Sequence, residues 1–423
     1  MIERRAPRNH SLYASLFFLF AFLFLGGCES PGERKETHFE KAMKYKAAGE
    51  MKAAIIELRN AVQIDPKFAD ARYQLGLAYL KTRQPAKALR ELERAGSLDP
   101  ENLDALVKAG EIYFLAEDYK KSRAMMNRIL EVDSKFPEAH AILAQLDLAE
   151  DSATSALAHI EKALSFNSTN SDFHVIHAHI LDRSDKPEAA EAALKKAVII
   201  DPGAANLKRL AAFYVKHDRT EDAKAIFERL VAKNPEQPAP YIDLAKFHIN
   251  RGEMDAAEKQ IKTAIRKAPQ SPDLRAFLAD FYRRTGSFEK AEASYQTAIR
   301  QSEAPADMRA GLAELYYGMR RMEEANSQIE KALQNEPQHP QASLVKAKLL
   351  IRQQRQEASL EILEELARNY PKWPQVQYYK GVALLDQGRL EESFKAVTRA
   401  LELAPENSRA RTLLAHHLFL KRD

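Results

Sequence analysis

The sequence predicts an all-α chain of eleven stacked helical hairpins, and three observations carry that expectation. The first is a period. Pro66, Pro100, Ser134, Ser168, Pro202, Pro235, Pro269, Glu303, Pro337, Pro371 and Pro405 lie 34 residues apart, with one step of 33 between Pro202 and Pro235. The second is a small residue 24 positions before each of these marks, from Ala42, Gly76 and Gly110 to Ala347 and Gly381. The third is another small residue 12 positions before each mark, from Ala54, Ala88 and Ser122 to Ser359 and Ser393. Small side chains at fixed places on two successive helices let their backbones approach closely.

Each element of the unit has its own reason. First helices open with an acid, as at Asp70, Asp104, Glu138, Asp172, Asp273 and Asp307, where a helix N-terminus favours negative charge. Tyr45, Tyr79, Tyr113, Tyr214, Tyr282 and Tyr316 stand three residues after the first small position. Leu58, Leu92, Met126, Phe227 and Tyr295 stand four after the second, so bulky knobs face the holes. Gly49, Gly252, Gly286 and Gly388 signal the turn between the helices, and "DP" or "NP" stops the second helix. Three departures interrupt the pattern. The third and fourth units end without Pro, Asp147 replaces the fourth Tyr, and the residue missing after Pro202 falls in the turn before the sixth unit. A change of pitch at that turn would divide the array into two arms. After Pro405 the pattern restarts with Ala415 and stops, which predicts a capping helix over 408–423.

This framework resembles the tetratricopeptide repeat over about residues 35–407, with the array set at 37–407. The resemblance implies a solenoid wound into a right-handed superhelix, with the first helices lining a concave face. In that family the residues three before, one after and four after the first small position point inward. Here they are Phe39, Tyr73, Leu77, Leu80, Val107, Phe114 and Leu148 in the early units, an apolar groove. The middle units present Lys208, Lys246, Asp280, Arg283, Arg284 and Glu314, and the last return to Leu344, Ile351, Tyr378, Val382 and Leu385. A partner with apolar ends and a polar or acidic middle fits that order. Repeat proteins that read a terminal carboxylate use Asn one residue after the small position, whereas this chain has Met43, Leu77 and Glu111 there.

The start of the chain gives an address. Arg4, Arg5 and Arg8 precede an apolar run from Leu16 to Leu25, too short for the roughly 20 residues that span a bilayer, and then come Gly26, Gly27 and Cys28. That is the pattern of a secretory signal over 1–27. "LGGC" resembles the lipobox of bacterial lipoproteins, which implies lipid on Cys28, the sole cysteine, followed by a short tether over 28–36. With no second cysteine, no disulfide within the chain competes for the thiol. Several acyl chains on one residue make a stable anchor. In such lipoproteins an Asp after the cysteine favours inner-membrane retention; Glu29 stands here, so the outer membrane facing the periplasm is expected.

The chain carries +4, of which Arg4, Arg5 and Arg8 against Glu3 supply +2, leaving the remainder close to neutral. That excludes the basic footprint of nucleic-acid binding. His140, His174 and His177 give the one cluster with metal-like spacing, but His140, His174 and His38 occupy a repeat position that packing explains. No Gly-rich phosphate loop, GxSxG or HExxH occurs, so neither an enzyme nor a cofactor is expected. The stretch "FEKAMKYKAAGEMKAAIIELRNAVQIDPKFADARYQLGLAYL" is similar to the opening units of tetratricopeptide lipoproteins that accompany exopolysaccharide export and exosortase-type sorting. The resemblance implies a membrane-anchored scaffold that binds protein partners, with polysaccharide as a further ligand. The alternative is an assembly factor for outer-membrane or pilus subunits.

Overall fold

Why a 34-residue unit closes on itself is visible at its two small positions. In a computed structural model, which describes residues 30–420, every one of the 22 small residues is buried. The described residues form 23 helices and no strand. A first helix such as Ala69–Lys81 packs on a second such as Pro85–Leu98. Where the first small residue is glycine, the matching knob fills the space a Cβ would take. A Cβ on Gly76 would lie 2.6 Å from Leu92 Cγ, one on Gly110 2.3 Å from Met126 Cε, and one on Gly381 2.5 Å from Val397 Cγ2. Where the second small residue is serine, the hydroxyl bonds back to the first. Ser122, Ser359 and Ser393 donate to the carbonyls of Gly110, Ala347 and Gly381.

The turn between the two helices has one conformation throughout. Its middle residue is left-handed in every repeat, at four glycines and at Arg83, Glu117, Asp151, Asp185, Asp218, Arg320 and Gln354. A side chain there costs about 1–2 kcal/mol, while glycine loses about 0.5–1 kcal/mol in chain entropy. Gln354→Gly is therefore expected to stabilise the chain by about 0.5–1 kcal/mol, read as a rise in the urea midpoint.

The departures from the pattern have local explanations. The residue before each early mark is Asp or Asn, and its side chain accepts the backbone N–H two positions on. Asp65 bonds Lys67, Asp99 bonds Glu101, Asp133 bonds Lys135, Asn167 bonds Thr169 and Asp201 bonds Gly203. These side-chain turns hold the loop with or without proline. The missing residue shortens the loop between Ile200 and Ala204, where Asn206 Nδ2 donates to the Asp201 carbonyl at 3.0 Å. Elsewhere the tyrosine hydroxyl reaches a glutamate on the preceding second helix: Tyr113 to Glu93, Tyr214 to Glu191, Tyr282 to Glu258 and Tyr316 to Glu292. Asp147 inverts that polarity by accepting Arg123 of the preceding second helix at 2.9 Å. Tyr45 has no preceding second helix among the described residues and is 38% exposed, so it is not the buried knob expected.

The described residues divide between His217 and Asp218 into two units. The first holds five complete hairpins and the first helix of the sixth repeat, Ala204–Lys216. The second begins with the helix Thr220–Lys233 and holds five more hairpins and the closing helix Ser408–Leu420. One expectation is corrected at the N-terminal end. The first helix is Pro31–Ala47, so residues 31–36 are helix and not tether. The reason is a capping box: Ser30 Oγ accepts the Glu33 N–H, and Glu33 Oε2 accepts the Ser30 N–H, with Pro31 in the first turn. Cys28 and the segment 1–27 lie outside the described residues.

Candidate functional site: the inner face of the first helices

The inward positions give graded exposure, not a uniformly open groove. Phe39 is half-buried, its ring 5.2 Å from Phe68. Tyr73 and Leu80 are also half-buried and pack on the core of the first repeats, and Leu77 is half-buried beside them. Burial pushes the Tyr73 phenol up, with Asp104 and Glu111 of the next repeat adding to it. Phe114 lies 5.7 Å from the Tyr119 ring. Val107, at 3% exposure, is a correction: it packs with Leu106, Met126 and Leu143 and offers no surface to a partner. Leu148 is buried in the same way. Both lie where the neighbouring first helix covers the position.

In the second unit Lys246 is exposed, 5.8 Å above the Phe277 ring, and Arg284, the residue after Arg283, is exposed. Arg283 donates to Asp280 at 2.9 Å, and Asp280 also accepts the Tyr295 hydroxyl at 2.7 Å. That carboxylate is thus fixed from two sides, and it is not a free acid. Tyr378 packs on Val397, Ala400 and Ala410 under the closing helix. Lys208, in the first unit, is exposed and engaged.

Two features of the inner face follow from the same positions and were missed. In repeat five those positions are Val175, His179 and Asp182, and with Ala178, Leu194, Arg209, Ala212, Phe213 and Lys216 they line an open pocket of about 310 Å³. Its floor is apolar. Asp182 at the rim accepts Lys216 and His217, both at 2.6 Å. Burial works against that charge, but the two hydrogen bonds outweigh it and hold the carboxyl below its ordinary range. The second feature is Lys348, one residue after the small Ala347. It is buried between the rings of Tyr317, at 4.7 Å, and Tyr379, at 5.2 Å, and pairs with Glu314.

His140 and His174 serve the frame. His140 Nε2 donates to the Ser134 carbonyl and His174 Nε2 to that of Ser168, six residues back in each case. Arg72, Tyr241, Arg275 and Arg411 make the same bond to Pro66, Pro235, Pro269 and Pro405. One nitrogen of each ring is thereby committed as a donor. His177 lies one turn beyond His174, and burial pushes its imidazole down. No group of three His, Cys, Asp or Glu side chains able to hold a metal ion occurs among the described residues.

Comparison with known proteins bears on the repeats that carry this face. Family profiles described as tetratricopeptide repeat match residues 83–146 and 214–281, 274–309, and 310–374, 358–408 and 378–423, and one described as TPR repeat matches 44–82. The chain is a tetratricopeptide-repeat protein. Among solved structures, yeast Tom70 is similar at 14% identity and a TM-score of 0.51, over 93% of this chain and 97% of that one. A tetratricopeptide repeat protein from Parabacteroides merdae is 17% identical with a TM-score of 0.45, over 58% of this chain and 97% of its own. The Cut9–Hcn1 hetero-tetramer of the APC/C gives 16%, 0.44, and 98% and 89%. No curated protein matches the chain significantly. The likeness to Tom70 is one of tetratricopeptide fold, at an identity too low to carry partners across.

Proposed function

We propose that the protein is a non-catalytic scaffold that binds polypeptide partners along the inner face of its repeats while lipid on Cys28 holds it in a bacterial envelope membrane. The observation that carries the binding is the apolar pocket of about 310 Å³ between the first helices of repeats five and six. Few concave apolar sites of this kind occur in one protein, and a contiguous apolar surface is costly to leave wet. The anchor rests on "LGGC" and the sole cysteine, and Glu29 in place of Asp favours the outer membrane facing the periplasm. Only Glu29 and Ser30 separate Cys28 from the helix at Pro31. The three steps from Cys28 to Pro31, at about 3.6 Å each, reach roughly 11 Å, which sets the first repeat against the membrane surface. The pathway that fits the opening repeats is polysaccharide export or the protein sorting coupled to it.

Metabolic labelling with a radioactive fatty acid, followed by fractionation, tests the anchor. The wild-type chain is expected to carry label and sediment with membranes, and Cys28→Ser to carry none and stay soluble. Membrane retention of unlabelled Cys28→Ser would contradict a lipid anchor.

A further inference from the structure

The pocket between repeats five and six has a shape and a charge that select its occupant. Val175, Ala178, Leu194 and Phe213 give this open pocket an apolar lining, and a volume of about 310 Å³ admits one large side chain. Arg209 lines the pocket with 45% of its side chain exposed. Its guanidinium donates to Asn206 Oδ1 at 2.7 Å and reaches Asp172 only at 3.4 Å, where Asp172 is 71% exposed. Five N–H donors in a planar fork leave most of that group open to a carboxylate. Asp182, the only acid lining the pocket, is already taken by Lys216 and His217.

We propose that this pocket takes a large apolar side chain of a partner polypeptide, with an Asp or Glu next to it in the partner's sequence paired to Arg209. The apolar group supplies the anchor, because enclosed and desolvated side chains carry most of the energy of such interfaces. The bidentate guanidinium–carboxylate pair supplies the selection. The proposal rests on the inner face being a polypeptide-binding surface, and it names which residues that surface reads.

The test begins with selection of random twelve-residue phage-displayed peptides on the purified full chain. The most enriched peptide is then synthesised and its affinity measured by fluorescence polarisation. Enriched peptides are expected to share a Phe, Leu, Ile or Met adjacent to an Asp or Glu. Ala212→Trp, which fills the pocket from an exposed helix position, and Val175→Phe, which fills it from the facing helix, are each expected to weaken binding at least tenfold. Arg209→Glu is expected to weaken the acidic peptide at least tenfold, and much less its Asp→Asn or Glu→Gln counterpart. Helical circular dichroism and melting of each variant show whether its fold is kept, and having two filling variants covers the failure of one. Peptides that bind equally to wild type and to both folded filling variants would overturn the pocket while leaving the inner face as a binding surface. Failure to enrich any peptide would overturn both.

Discussion

Leu92→Ala is expected to destabilise the second repeat by about 2–5 kcal/mol, because Leu92 is fully buried and the backbone around the cavity cannot collapse. Its side chain occupies the space that the missing Cβ of Gly76 leaves open, at 2.6 Å from where that Cβ would be. Gly76→Ala should therefore cost about 1–3 kcal/mol through overpacking. The two effects share one volume. In the double variant the added methyl group enters the cavity left by the leucine, so the combined loss should fall short of the sum by at least about 1 kcal/mol. Native-state hydrogen exchange in Ala69–Lys81 and Pro85–Leu98 reads the loss locally, which suits a repeat array whose units open separately. Additivity to within about 0.5 kcal/mol would show that knob and hole are independent.

The second large effect is expected at Glu314. Lys348 has 6% of its side chain exposed, lies between two tyrosine rings, and has the Glu314 carboxylate as its ion partner. Glu314→Leu strands that ammonium in a buried place, at an expected cost of about 3 kcal/mol. Lys348→Met should cost less, because 24% of the Glu314 side chain remains open to water. Combining the two changes removes both charges and should return stability to within about 1 kcal/mol of wild type, since a matched apolar pair is often as stable as the ion pair it replaces. Urea denaturation of all four proteins checks this. A double variant as unstable as Glu314→Leu would mean that the charge is not what couples these residues.

The frame was legible in the sequence because it repeats. Small residues at two fixed places, a knob opposite each, and a stop after the second helix are direct consequences of helix periodicity and close packing. Even the departures resolved locally: Asp133 and Asn167 hold their loops by side-chain turns, and Asp147 finds Arg123. What the pattern could not give was depth. It placed Val107 and Phe114 on the same inner face, but how far the next first helix covers each position depends on helix spacing and tilt. Val107 is core, and Phe114 is half-buried. The pocket needed no new rule, only the inward positions of repeat five read as carefully as the others. Lys348 was hidden for a different reason: a lysine beside a small residue reads as solvated unless the two tyrosines that enclose it are known. The start of the first helix was legible as well, since Ser30, Pro31 and Glu33 spell a capping box that a tether would not need.

Whether the inner face holds a polypeptide partner is read by in-cell photo-crosslinking. A photoreactive residue is placed in turn at Phe114 and at Ala212 on the inner face, and at Ile199, 79% exposed on a second helix. One and the same polypeptide is expected to be captured from Phe114 and Ala212 and none of it from Ile199, and Arg209→Glu is expected to remove the Ala212 product. Equal capture from Ile199, or no polypeptide from either inner position, would contradict polypeptide binding at the inner face.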